Sequence, residues 1–413
     1  MGALAVLIGL GRLAVRRSVG GGTSAAAWDA QAAAAAVAIV LIATDVLVLA
    51  PGWAPYALVG LLALTVLTGP RDGRRVPGDL LLVLLCCWGL AGSLYGRLVL
   101  GEWENALAFF LPVGVALAHL WRPLPLHESE HALRLTRGLL LAGLVYGVLA
   151  YVVLVRGWSI LPVGDFKHER LYFVAMGVVA AVVLRERVIA AVLLLLAAAA
   201  FLSYPALTWV LVAVVTVAVI AATGRRFGPF ALTVGCVFVA TVAVGLGVTT
   251  GELRQAYFDG VGKGDNTATR EVLLQTGVQR YLDSPLYGDA FTANIAVPSD
   301  VTGRYSRVPV HNDFFQLAIS GGALGGGLFL LWCSVTLIAG IRLVRRLRGA
   351  ERAAHADLAL VVLVGVATML ATAVFNPVLI NTRTSLLLGL LCAVLASVHL
   401  ATSSAPTPAA AVR

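Results

Sequence analysis

Apolar stretches about as long as a lipid bilayer is thick recur along this chain, and they limit its fold more than any other feature. A helix needs roughly 20 mostly apolar residues to cross the hydrocarbon. It also satisfies its own backbone polar groups there, as an open strand or loop cannot. Twelve stretches qualify, at about 31–50, 54–69, 79–95, 105–121, 138–155, 171–184, 188–203, 206–223, 228–249, 314–341, 357–375 and 383–401. Only Arg185-Glu186-Arg187 separates the sixth from the seventh. Residues are 60% apolar and 12% charged, against about a quarter charged in soluble chains. The pattern predicts an all-α integral membrane protein of about 12 transmembrane helices, a single polytopic domain over residues 1–413.

Basic residues fix the orientation. With the N-terminus in the cytoplasm and sides alternating, the inner segments hold 19 of the 30 basic residues, as the positive-inside rule requires. Arg71, Arg74 and Arg75, Arg185 and Arg187, and the run from Arg342 to Arg352 are examples. Both termini are then cytoplasmic. Met1–Leu10 is too short to span and reads as a cytoplasmic-side flanking helix, with a further span as the alternative. The net charge of +9 reflects this orientation and gives no reason to expect nucleic acid.

The one large polar segment, 250–310, falls on the outer side, folded over the bundle. Within it, residues 266–283 read as a helix capped by Asn266 or Thr267 and ended by Ser284-Pro285. Residues 285–310 read as irregular loop, and 402–413 as a disordered tail. His119, His127, His131, His355 and His399 read as solvated at cytoplasmic ends. Cys86, Cys87, Cys236, Cys333 and Cys392 read as small buried apolar residues.

Chemistry concentrates where the polar loop ends, at Pro309-Val-His311-Asn312-Asp313-Phe-Phe-Gln316. Asn312 or Asp313 is a natural N-cap. His311 is either an ordinary loop histidine beside that cap or a functional group. The positive helix end disfavours imidazolium there, and a neutral ring can accept a hydroxyl proton. Gln316 is one turn on. Gly321, Gly322, Gly325 and Gly326 suggest close helix packing. Arg170 and Arg383 open spans on the outer side, and Arg270 lies in the first turn of the loop helix. A cation at a helix N-terminus opposes the macrodipole unless an anion such as a diphosphate sits nearby. Snorkelling explains Arg170 and Arg383 equally well. Asp45 is an intramembrane carboxylate or an interfacial one. No zinc spacing, Walker-type loop, Asp-x-Asp pair or Ser–His–Asp order is present, so no metal and no cofactor is expected.

The pieces together resemble the O-antigen ligase and O-antigen polymerase superfamily. The resemblance rests on His311-Asn312-Asp313-Phe-Phe-Gln316-Leu-Ala-Ile-Ser-Gly321-Gly322-Ala-Leu-Gly325 and on Arg270 through Arg280 followed by Ser284-Pro285-Leu286-Tyr287-Gly288-Asp289. It implies a metal-independent glycosyltransferase of the GT-C type in the bacterial cytoplasmic membrane. Its donor would be a polyprenyl diphosphate-linked glycan, and its acceptor a hydroxyl on a glycan, lipid or protein at the outer face. His311, with Asn312, would serve the acceptor. Arg270, Arg170, Arg383 and Arg280 would bind diphosphate, with Gln316 and Asp45 as accessory candidates. Where the family often has Ser-Arg, this chain reads Leu202-Ser203-Tyr204-Pro205, so that arginine is missing. Ligase is the first reading and polymerase of the same superfamily the alternative. A lipid-linked glycan transporter or a non-catalytic binder ranks lower, because transporters gather polar residues at mid-membrane.

Overall fold

The computed structural model describes residues 75–95, 98–99, 116, 123–124, 126, 128–156, 171–201, 215, 267–289, 295–298, 305–308, 312–350, 352–374, 378–379 and 382–403. In chain order these form α1 (Asp79–Tyr95), α2 (Ser129–Arg156), α3 (Tyr172–Val183), α4 (Arg187–Phe201) and α5 (Thr267–Asp283). Strands β1 (Ile295–Pro298) and β2 (Tyr305–Val308) follow, then α6 (Asp313–Gly349), α7 (Ala353–Ala373) and α8 (Thr382–Ser403). Seven helices coincide with candidate spans, and α5 with the loop helix. Apart from Ala116 and Val215, the spans at 31–50, 54–69, 105–121, 206–223 and 228–249 lie outside the described residues. So does the tail from residue 404 on. Among the described residues, three helices, α6, α7 and α8 from Thr384, are long and apolar enough to cross a membrane.

α3 is the axis of the bundle. It is buried from Tyr172 to Ala181 and packs against α2, α4 and α7. Lipid offers no hydrophobic drive between helices, so close approach of small residues holds them together. A Cβ on Gly143 of α2 would lie 2.6 Å from Gly177 Cα and 2.7 Å from the Phe173 carbonyl of α3. A Cβ on Gly365 of α7 would lie 2.5 Å from Met176 Sδ.

The contacts also give each helix its sense. His355 Nε2 lies 2.6 Å from the Leu126 carbonyl, so α2 and α7 begin at the same end. The glycine crossing and the Tyr146–Phe173 ring contact at 5.7 Å make α3 antiparallel to α2. The starts of α3 and α6 and the finish of α7 therefore share one end. Arg185, Arg346 and Arg352 gather at the other.

Arginines cap that basic end. Arg352 Nη1 donates to the Thr402 carbonyl (2.7 Å) and Arg346 Nη2 to Thr402 Oγ1 (3.2 Å). Cations belong at a helix C-terminus, where carbonyls are left over. Residues 402 and 403 are thus helical, and the expected disordered tail does not begin before 404. The turn at 184–186 is equally specific. The Glu186 N–H donates to the Ala181 carbonyl and the Arg185 N–H to that of Val182. This is a Schellman closure with Arg185 at φ 65°.

Three further expectations are corrected. His355 is buried, at 4% exposure, rather than solvated, because its ring reaches the Leu126 carbonyl. Cys87 is exposed and Cys86 half-buried, while Cys333 and Cys392 are buried. Part of the irregular 285–310 segment is a β-hairpin, with Ile295 opposite Val308 and Pro298 opposite Tyr305. Pro298 is tolerated at a strand end, where no ladder donor is needed. This hairpin stands beside α5, so the described fold is helical with one small β element.

Candidate active site

α6 was expected to be one continuous span from 314 to 341, and it is broken. Gly322 has φ 66° and ψ −171°, a region essentially reserved for glycine. The break is sharp. Phe314 and Phe329 have ring centroids 5.7 Å apart, whereas residues 15 apart in a straight helix are about 22 Å apart. A Cβ on Gly326 would sit 3.4 Å from Ala318, a residue two turns away in sequence. Residues 313–321 thus fold back along the start of 323–349.

A break in a membrane helix frees backbone groups that need partners. The turn after α5 supplies most of them. Pro285 and Leu286 carbonyls accept from the N–H groups of Ala323 (2.8 Å) and Leu324 (3.4 Å). The Asp289 N–H donates to the Ile319 carbonyl (3.1 Å), and Trp88 Nε1 of α1 donates to that of Gly321 (3.1 Å). Trp88 also stacks on Tyr287 at 5.8 Å. The fit is backbone against backbone. A Cβ on Gly288 would meet Gly322 N at 2.4 Å, and one on Gly322 would meet the Leu286 carbonyl oxygen at 2.2 Å. The Pro-Leu-x-Gly turn therefore locks the segment after α5 into the broken helix. Gly322 serves the turn, and Gly325 and Gly326 give room to Trp88 and Ala318.

The folded-back segment sets the start of α6. Asn312 is its N-cap, with Oδ1 accepting from the Phe315 N–H at 3.0 Å. That bond assigns the oxygen inward and leaves the amide group of Asn312 for another partner. Asp313 lies just inside and is 3% exposed. Its Oδ2 accepts from two successive amides, Val378 (2.6 Å) and Leu379 (2.5 Å). A carboxylate shared by two amides makes strong, charge-assisted bonds. It ties the start of α6 to the connection leading into α8, four residues before Arg383. This clamp was not legible in the sequence, because its partners are backbone groups. Gln316 is buried, and its Nε2 donates to Ser320 Oγ (3.3 Å).

His311, Arg170 and Asp45 lie outside the described residues. The backbones of Arg270 and Arg383 fall in the first turns of α5 and α8. Arg280 meets Asp289 at 3.7 Å, so the structure gives it a protein carboxylate at the helix break. The residue after Arg170, Leu171, is the N-cap of α3 and makes no side-chain cap bond. A cavity of about 50 Å³, lined by Asp79, Trp332, Cys392 and His399, lies toward the opposite, basic end.

These features define a helical membrane protein in which the α5 helix and its following turn are built into a broken helix beside a cluster of helix starts. Residues 191–330 match the family model described as O-antigen ligase. The match bears out the resemblance to the O-antigen ligase and polymerase superfamily and takes in α5, the locking turn, the hairpin, the Asn312 cap and the break. No protein of curated function matches the chain.

Proposed function

We propose that this chain is an O-antigen ligase-type glycosyltransferase. It moves a glycan from a polyprenyl diphosphate carrier to a hydroxyl acceptor at the outer face of the cytoplasmic membrane. The observation that carries the proposal is the family match over 191–330, which includes the Asn312 cap and Asp313 at the start of α6.

His311 immediately precedes the Asn312 cap in sequence. The partial positive charge of the helix start disfavours protonation there, which suits a base that takes the acceptor proton. As the anomeric bond breaks, negative charge grows on the departing diphosphate. Arg270, Arg383 and Arg170, each at or beside a helix start, stabilise that charge by preorganised electrostatics. The Asp313 clamp supports the shared use of His311 and Arg383, since it joins the start of α6, next to His311 in sequence, to residues 378 and 379, a few positions before Arg383. Arg280, already paired with Asp289, braces the loop rather than binding diphosphate. A transporter would use a broken helix to line a cavity. In α6 the turn at 285–289 and Trp88 take up freed groups instead, which favours a fixed site.

The test is transfer in proteoliposomes from a polyprenyl diphosphate glycan to lipid, glycan and peptide hydroxyl acceptors, with chelator present and no nucleotide sugar. Wild-type protein should give a product with free polyprenyl diphosphate released. Absence of transfer to every acceptor class, or a requirement for nucleotide sugar, overturns the reading.

A further inference from the structure

We infer that α5 is a membrane-docking helix whose bare apolar face is seated among the lipids on the Asn312 side of the bilayer. α5 has two apolar faces. Leu273 and Gly277 are buried against the protein. Leu274, Val278 and Leu282 are 52%, 42% and 61% exposed. Their i, i+4, i+8 spacing puts them on one stripe. The exposed polar residues Gln275, Gln279 and Asp283 form the stripe next to it.

A bare apolar row on an extramembrane helix calls for a covering partner, and continuity with α6 identifies it. The row passes through exposed Leu286 and Tyr287. The Leu286 carbonyl then accepts from the Leu324 N–H. Leu324 heads a row of exposed residues at heptad spacing, Leu324, Leu331 and Ile338, on a helix fit to cross the membrane. Residues 323–349 rise about 40 Å, against about 30 Å of hydrocarbon. The lipid-facing stripe of α6 therefore reaches headgroup depth, where Leu286 and α5 join it. A helix with one apolar face and one polar face lies in that plane. Arg270, Glu271, Arg280 and Asp283 balance in charge, so apolar contact rather than anionic headgroups holds it. The inference requires a membrane-spanning chain but not the catalytic assignment.

The test places the photoreactive residue p-benzoylphenylalanine at Val278 or Gln279 in the full chain. The protein is reconstituted into vesicles of phosphatidylcholine alone or mixed with phosphatidylglycerol, and adducts are read by mass spectrometry. Val278 should give lipid adducts several-fold above Gln279 in both vesicle types. Equal yields at the two positions, adducts to protein instead of lipid, or adducts only with phosphatidylglycerol overturn the inference.

Discussion

Replacing Gly322 by alanine should damage the site region without touching any group that does chemistry. The added Cβ would lie 2.2 Å from the Leu286 oxygen, 2.3 Å from its carbonyl carbon and 2.5 Å from Tyr287 N. All three are backbone atoms, so no side chain can swing aside. The φ and ψ of this position cost a non-glycine residue about 1–3 kcal/mol. If the turn withdraws, it loses the bonds at Ala323, Leu324 and Ile319, at about 0.5–1.5 kcal/mol each. The total is about 2.5–7.5 kcal/mol, equivalent to a drop in Tm on the order of 10 °C. Thermal unfolding in detergent and limited proteolysis at residues 285–289 read the effect. Gly327→Ala is the control, because a Cβ there has open space. It should be neutral, or more stable by up to about 1 kcal/mol through helix propensity. A Gly322→Ala protein with wild-type Tm and wild-type protease resistance would refute the interlocked break.

Asp313→Asn should cost about 1–3 kcal/mol, since charged acceptors make the stronger bonds; thermal unfolding checks this, and unchanged stability would remove the clamp. Arg185→Gly should stabilise by about 1–2 kcal/mol in the same measurement, because it relieves a left-handed residue at φ 65°. Gly143→Ala should lower Tm by wedging α2 from α3, where the Cβ meets backbone at 2.6 Å; a Tm at or above wild type contradicts the crossing. Arg280→Ala should change stability by no more than about 1 kcal/mol, as expected for a partly exposed pair, and leave donor affinity unchanged.

The seven spans that coincide with described helices, and the loop helix, were readable because periodicity and apolar length are local properties of the chain. The same holds for the Asn312 cap, a short-range bond between a side chain and an amide three residues on. The break at Gly322 was hidden. A Gly-Gly pair in an apolar run fits close packing or a bend equally well, and the choice depends on Pro285–Asp289, over 30 positions away. Asp313 was legible only as an alternative cap, since its amide partners at 378 and 379 carry no side-chain signal. His355 looked solvated because a histidine near a helix start has no local sign that a carbonyl from residue 126 will cover it.

The most direct measurement is single-turnover transfer with donor affinity measured on the same samples, comparing wild type, His311→Ala and Arg270→Ala in proteoliposomes. Proposed roles at one site give a split result. His311→Ala should bind polyprenyl diphosphate glycan as wild type does while transfer falls about 10²-fold or more, and Arg270→Ala should lose donor affinity. Transfer at the wild-type rate by His311→Ala, or wild-type donor affinity in Arg270→Ala, contradicts the assignment.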